Sequence, residues 1–119
     1  MAVVKCGTIA FHIGETRETV VQLKNNFGEA YFSAVEHKVI KGWKRHFEMI
    51  LNIAVPIGHI RFILFDDRDN SKTKGCYQEV ILSRNNYQRL TVPPMIWFAF
   101  EGIAKDSSLL LNLASIPHK

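Results

Sequence analysis

The sequence predicts an all-β sandwich or barrel, and three observations carry that expectation. Short runs rich in Val, Ile, Phe and Tyr recur along its 119 residues, and these types suit a pleated, half-buried backbone. Turn-forming residues punctuate the runs: Gly14, Asn25-Asn26, Gly42, Pro56 with Gly58, Asp69-Asn70, Gly75, Asn85-Asn86, Pro93-Pro94 and Gly102. Within the runs polarity alternates with a period of two. In "HIRFILFD", Ile60, Phe62 and Leu64 share one face, and His59, Arg61, Ile63 and Phe65 share the other.

In order, strands are expected near residues 3–12, 19–23, 29–36, 39–46, 49–55, 59–66, 77–83, 88–92, 96–101 and 108–114. A helix competes only around 15–25, where the β-branched Thr19, Val20 and Val21 disfavour it. With no repeat, linker or low-complexity segment, residues 1–119 are expected to form one domain with a single core.

Hydrophobic residues at 47% and charged residues at 22% are ordinary for a globular chain and exclude disorder. No apolar run approaches the ~18 residues of a membrane span, and the first ten residues lack the pattern of a secretory signal. A soluble, cytoplasmic protein without a membrane partner is expected. Cys6 and Cys76 stand far apart and out of metal-ligand spacing, so reduced structural thiols are expected. The net charge of +4 favours anionic partners. The cations are scattered, without a dense basic run or aromatic repeat, so nucleic acid is not expected. A phosphorylated small molecule needs only a few of them.

The stretch "IKGWKRHFEM", residues 40–49, gathers such cations. In a strand reaching His46, Lys44 and His46 project one way, and Trp43 and Arg45 the other. Buried without partners, a lysine and a histidine would cost several kcal/mol, so they face a polar cavity, a carboxylate or solvent. Lys41 and Lys44 read equally as ligand contacts or as edge-strand charges that block aggregation. Arg61 reads equally as a ligand contact or as the partner of Asp66, Asp67 or a partner-chain carboxylate.

The order of short motifs says more than any one of them. "GEAYFSAV", "IKGWKRH", "VPIGHIRFILFDDR", "SKTKG", "EVILSRNNYQRLTVPP" and "SLLLNLA" follow one another between residues 27 and 114. This series resembles the dTDP-4-dehydrorhamnose 3,5-epimerase family of RmlC-like cupins, most of all the subgroup carrying a K-G-W-H-x-H stretch. The resemblance implies a double-stranded β-helix, the cupin or jelly-roll barrel, in a homodimer. It implies an isomerase or epimerase, without cofactor, that abstracts a proton beside the ketone of a dTDP-linked 4-keto-6-deoxyhexose. Such enzymes serve deoxysugar and surface-polysaccharide biosynthesis, lipopolysaccharide included.

Site residues carry over one by one. Lys41-Gly42 takes the place of the family's phosphate-binding Arg-Gly, keeping the charge but losing the bidentate fork. Lys44 takes the place of the first histidine and His46 of the second, which makes His46 the base and Lys44 the cation beside the developing enolate. Glu29 matches a glutamate of the nucleotide-sugar pocket, and Asn52 replaces a pocket lysine. The strand "LLNLA" puts Leu111 where the family has its tyrosine acid and Asn112 where it has a lysine. With that tyrosine missing, Tyr31 is the preferred acid over Tyr77 and Tyr87, and double epimerisation gives way to a single epimerisation or a ketone shift. Phe98 falls where metal cupins carry a second histidine, so no metal is expected. The alternative reading is a nucleotide-sugar-binding cupin without turnover.

Overall fold

A computed structural model describes residues 28–116, with the backbone of two short strands before them. The strands are β1 (Val4–Lys5), β2 (His12–Glu15), β3 (Glu29–Val35), β4 (Ile40–Lys44), β5 (Leu51–Ile57), β6 (His59–Asp66), β7 (Cys76–Ser83), β8 (Gln88–Val92), β9 (Ile96–Gly102) and β10 (Ser108–Ala114). No helix occurs among the described residues. The strand expected at 19–23 lies outside them. From residue 28 onward each expected strand is present within about two residues, because alternation and turn residues mark the same elements.

Two five-stranded sheets face each other, one in the order β1-β7-β6-β9-β4 and the other β2-β8-β5-β10-β3. From β3 to β10 the chain changes sheet at every step except β6 to β7. That winding is the double-stranded β-helix of a jelly-roll barrel. Strand β6 keeps the expected faces: Ile60, Phe62, Leu64 and Asp66 are buried, while Arg61, Ile63 and Phe65 are half-buried. The core between the sheets is built from Val35, Leu51, Ile53, Val55, Ile60, Phe62, Leu64, Leu82, Leu90, Val92 and Ile96. The corner from β5 to β6 turns on Gly58, whose φ is 86°. A side chain there would run into Ser108, with its Cα only 2.8 Å from an added Cβ.

The expectation of reduced thiols is overturned at Cys76, which is disulfide-bonded. Parallel pairing sets β1 alongside β7, with Val4 across from Cys76. A contact between segments some seventy residues apart leaves no mark in cysteine spacing.

The loop after β6 is clipped by a buried carboxylate. Asp66 is fully buried. It accepts hydrogen bonds from Arg68 Nε (3.0 Å), Arg68 Nη2 (2.9 Å), the Arg68 backbone N–H (2.9 Å), Ser71 Oγ (2.6 Å) and Thr73 Oγ1. Burial alone would raise its pKa, but together these donors outweigh burial and hold the carboxyl well below the ordinary range. Its folded-state pKa is thus depressed, and the stability it contributes is present above the unfolded value near ~4 and lost as pH falls toward the folded one. Asp66→Asn is expected to cost about 3–5 kcal/mol at pH 7, because it strands Arg68 without its charge partner. In urea titrations the gap between variant and parent should narrow below pH ~4.

Candidate active site

The edges of the two sheets, β3 and β4, come together on one side of the barrel. Between them opens a cavity of about 110 Å³. Its apolar floor is Ile53, Phe98, Phe100 and Leu110, and its polar wall is Tyr31, Ser33, Lys41, Lys44, His46 and Asn112.

The cation-bearing wall follows from a break in β4. Lys41 pairs with Phe100 across β9, so in a regular antiparallel ladder Phe98 would face residue 43. Lys44 faces it instead, which places one extra residue in β4, a β-bulge. Residues three apart ordinarily point to opposite faces. The bulge turns both Lys41 and Lys44 inward, on the face of Phe98 and Phe100. Gly42 permits this, since an added Cβ would collide with the Ala99 side chain and lie 3.1 Å from its Cα.

The two lysines are held differently. Lys41 Nζ donates to the Ala34 carbonyl at 2.8 Å and reaches Ser33 Oγ at 3.5 Å, bridging the β4 edge to the β3 edge. Lys44 is exposed and makes no hydrogen bond or ion pair with any described residue. No carboxylate lines the cavity among the described residues, so its charge suits an anionic ligand.

His46 lies just past the end of β4 and is half-buried. Its carbonyl accepts from Met95 N–H at 2.7 Å, which fixes it to the turn made by Pro93-Pro94. Its ring tilts against Phe98, centroids 6.1 Å apart. Arg45, its neighbour, turns outward over the rings of Trp97 (4.7 Å) and Phe47 (5.1 Å).

The facing wall is β3, which pairs with β10 without a register break. Glu29, Tyr31 and Ser33 therefore share its inward face. Tyr31 and Ser33 line the cavity, and Glu29 lies beyond it at the strand's start. Asn112 stands opposite Tyr31 in register and donates Nδ2–H to Tyr31 Oη at 2.8 Å.

Of the residues expected at the site, Lys41, Lys44, His46, Tyr31 and Asn112 thus come together. Arg61 does not. It sits on the outer face of β6, donating from Nε to Glu79 (2.7 Å) and pairing with Glu101 (3.4 Å), partners that only strand register brings near. Asn52 does not either: between the core residues Leu51 and Ile53, its side chain takes the other face of β5. There it donates to the Leu113 carbonyl (3.0 Å) and accepts from Thr91 Oγ1 (3.0 Å). Leu111 is outward too, so the cavity-facing positions of β10 are Leu110 and Asn112. The position that motif order matches to the family's tyrosine therefore lies off the inward face. Ser33 was missed; its position two after Tyr31 was the available signal. Among the described residues no three His, Cys, Asp or Glu side chains gather to hold a metal ion. No described helix is long and apolar enough to cross a membrane.

No family model matches the sequence. The crystal structure of a dTDP sugar isomerase from Desulfovibrio desulfuricans G20 is 33% identical, with a TM-score of 0.86, over 92% of this chain and 79% of that one. This chain belongs to the RmlC-like family of dTDP-sugar isomerases and epimerases. A second relative, the probable low-salt glycan biosynthesis epimerase Agl13 of Haloferax volcanii, is 32% identical over 84 residues, 70% of this chain. The chain spans 54% of that curated relative, about half its length. The dTDP-6-deoxy-D-glucose-3,5-epimerase RmlC from Legionella pneumophila Philadelphia 1, in complex with dTDP-4-keto-L-rhamnose, shares the fold at 16% identity. Its TM-score is 0.78 over 99% of this chain and 73% of that one.

The bulge carries a prediction of its own. Gly42→Ala forces β4 away from Ala99, and urea denaturation should register a loss of about 1–3 kcal/mol. Unchanged stability would mean that β4 does not lie against β9 as closely as described.

Proposed function

We propose that this protein is an isomerase or epimerase of a dTDP-linked 4-keto-6-deoxyhexose, with His46 as the base that removes the proton beside the ketone. The observation that carries the reading is that His46 and Tyr31, from opposite walls, line one small cavity. The relatives add support, since their names specify dTDP-sugar isomerase and epimerase activities.

Of the two cavity lysines, Lys44 is the one without a protein partner among the described residues, suited to stabilising the negative charge that develops on the ketone oxygen. The base takes the carbon-bound proton, and the C–H electron pair moves to form the enolate. Return of a proton to the opposite face, from Tyr31, inverts that carbon. Protonation of the enolate oxygen gives an enediol instead. Loss of the neighbouring hydroxyl proton, with a proton added to the former carbonyl carbon, then moves the ketone by one carbon. Both outcomes conserve atoms and need neither cofactor nor metal. The cavity is smaller than the roughly 300–1,000 Å³ of common ligand pockets, which suits a sugar ring inside with the nucleotide along the open seam, where Lys41 lies.

The test is deuterium uptake from D2O into dTDP-4-keto-6-deoxyglucose, followed by NMR. Exchange above the uncatalysed background is expected, with His46→Ala lower by about 100-fold or more, the range of general base catalysis. No exchange by the parent protein, with dTDP still raising its melting temperature, would favour the second reading, a binding cupin without turnover. That reading draws on Leu111 and Lys44 standing where the family resemblance expects an acid and a base.

We also propose a homodimer. Ile40, Trp43 and Phe47 are 68%, 53% and 69% exposed along the β4 edge and its extension, an apolar stripe suited to a second copy. Light scattering should give about twice the chain mass, and Trp43→Lys should shift it toward the monomer.

A further inference from the structure

Asn112, in the cavity wall, is only 2% exposed, and its hydrogen bonds have a forced direction. Its Oδ1 faces the backbone N–H of Asn52 at 3.3 Å. A backbone N–H can only donate, so the amide oxygen must point there and the NH2 must point the other way. The other way is Tyr31 Oη, at 2.8 Å. An amide NH2 can only donate, so the phenol oxygen can only accept from it. Whatever else Tyr31 touches, this contact cannot consume the hydroxyl proton.

The backbone donor is itself held. The Asn52 side chain, 3% exposed, spans to the Leu113 carbonyl and to Thr91 Oγ1 on the far side of the sheet. Those two bonds brace β5 against β10 and β8 where the Asn112 amide needs its partner. Three strands thus converge on the orientation of one side-chain amide.

We infer that Asn112 is a positioning residue. It fixes the Tyr31 phenol as a hydrogen-bond acceptor toward Asn112, so that this contact leaves the hydroxyl proton for donation on the cavity side. This deepens the proposed function and rests on it. A substrate contact by Asn112 itself is a different role, and the two predict different kinetics.

The decisive variant is Asn112→Asp. It is isosteric and still accepts from Asn52 N–H, but its second oxygen accepts where the amide donated. Tyr31 must then donate to it and turn its proton away from the cavity. Using deuterium exchange into dTDP-4-keto-6-deoxyglucose, kcat is expected to fall by about 100-fold, within the range of general acid catalysis, with KM changed less than about threefold. Tyr31→Phe is expected to fall comparably, and the double variant to be no slower than the slower single one, because both changes remove the same donor. If Asn112→Asp does not fold, the cycle is repeated with Asn112→Ala, for which the same non-additive loss in kcat is expected. Parental kcat in the Asn112 variants overturns the inference. So do losses that multiply in the double variant, or a change confined to KM, the mark of a direct substrate contact. Absence of exchange in the parent protein retires the functional reading and this role with it; exchange in the parent beside an unaffected Asn112 variant retires the role alone.

Discussion

The cavity depends on a single surplus residue in β4. A strand edge delivers side chains alternately inward and outward, so two lysines three residues apart would ordinarily be split between core and surface. The bulge opposite Phe98 and Phe100 removes that conflict and aims both ammonium groups into the barrel mouth. It is tolerated because residue 42 has no side chain to strike Ala99. Bulges gather at barrel rims and re-aim side chains there, and here the effect is a positive wall over an aromatic floor.

That wall would be unstable in a closed core, since a buried ammonium without a partner is costly. The barrel avoids the cost by leaving the seam between β3 and β4 open and by tying one cation down. Lys41 spends its charge on the Ala34 carbonyl across the seam, whereas Lys44 stays exposed. The two positions therefore differ in kind: one closes the barrel edge, and the other is available to a ligand. Deeper polar groups are treated more strictly. Asp66 is enclosed by a guanidinium, a backbone N–H and two hydroxyls, and Asn112 is fixed between a backbone donor and a phenol.

Local periodicity made much of this legible. The faces of β6, the punctuation between strands from β3 to β10 and the shared side of Lys44 and His46 all follow from alternation and turn residues. The collinear motifs pointed to the family. What the sequence could not convey was register between distant strands. The bulge in β4 is invisible without β9 beside it, and the partners of Arg61 sit on β7 and β9 rather than in the nearby Asp66-Asp67. Leu111, which motif order matches to the family's tyrosine, faces outward for the same reason: adjacent residues of a strand take opposite faces, and only the neighbouring strands decide which face is inward. Asn52 resembled a pocket residue by position, yet it points through the sheet to Thr91 and Leu113. The disulfide of Cys76 likewise leaves no mark in cysteine spacing.

The account centres on a sugar ring seated between the β4 wall and the β3 wall, touching both imidazole and phenol. A crystal structure of the protein soaked with dTDP-4-keto-6-deoxyglucose tests this most directly. The account predicts the hexose inside the barrel mouth, with an imidazole nitrogen of His46 within about 3–3.5 Å of a carbon flanking the ketone and Lys44 at the ketone oxygen. A sugar bound on the outer face of either sheet, or a cavity entered by the thymine end instead, would contradict it.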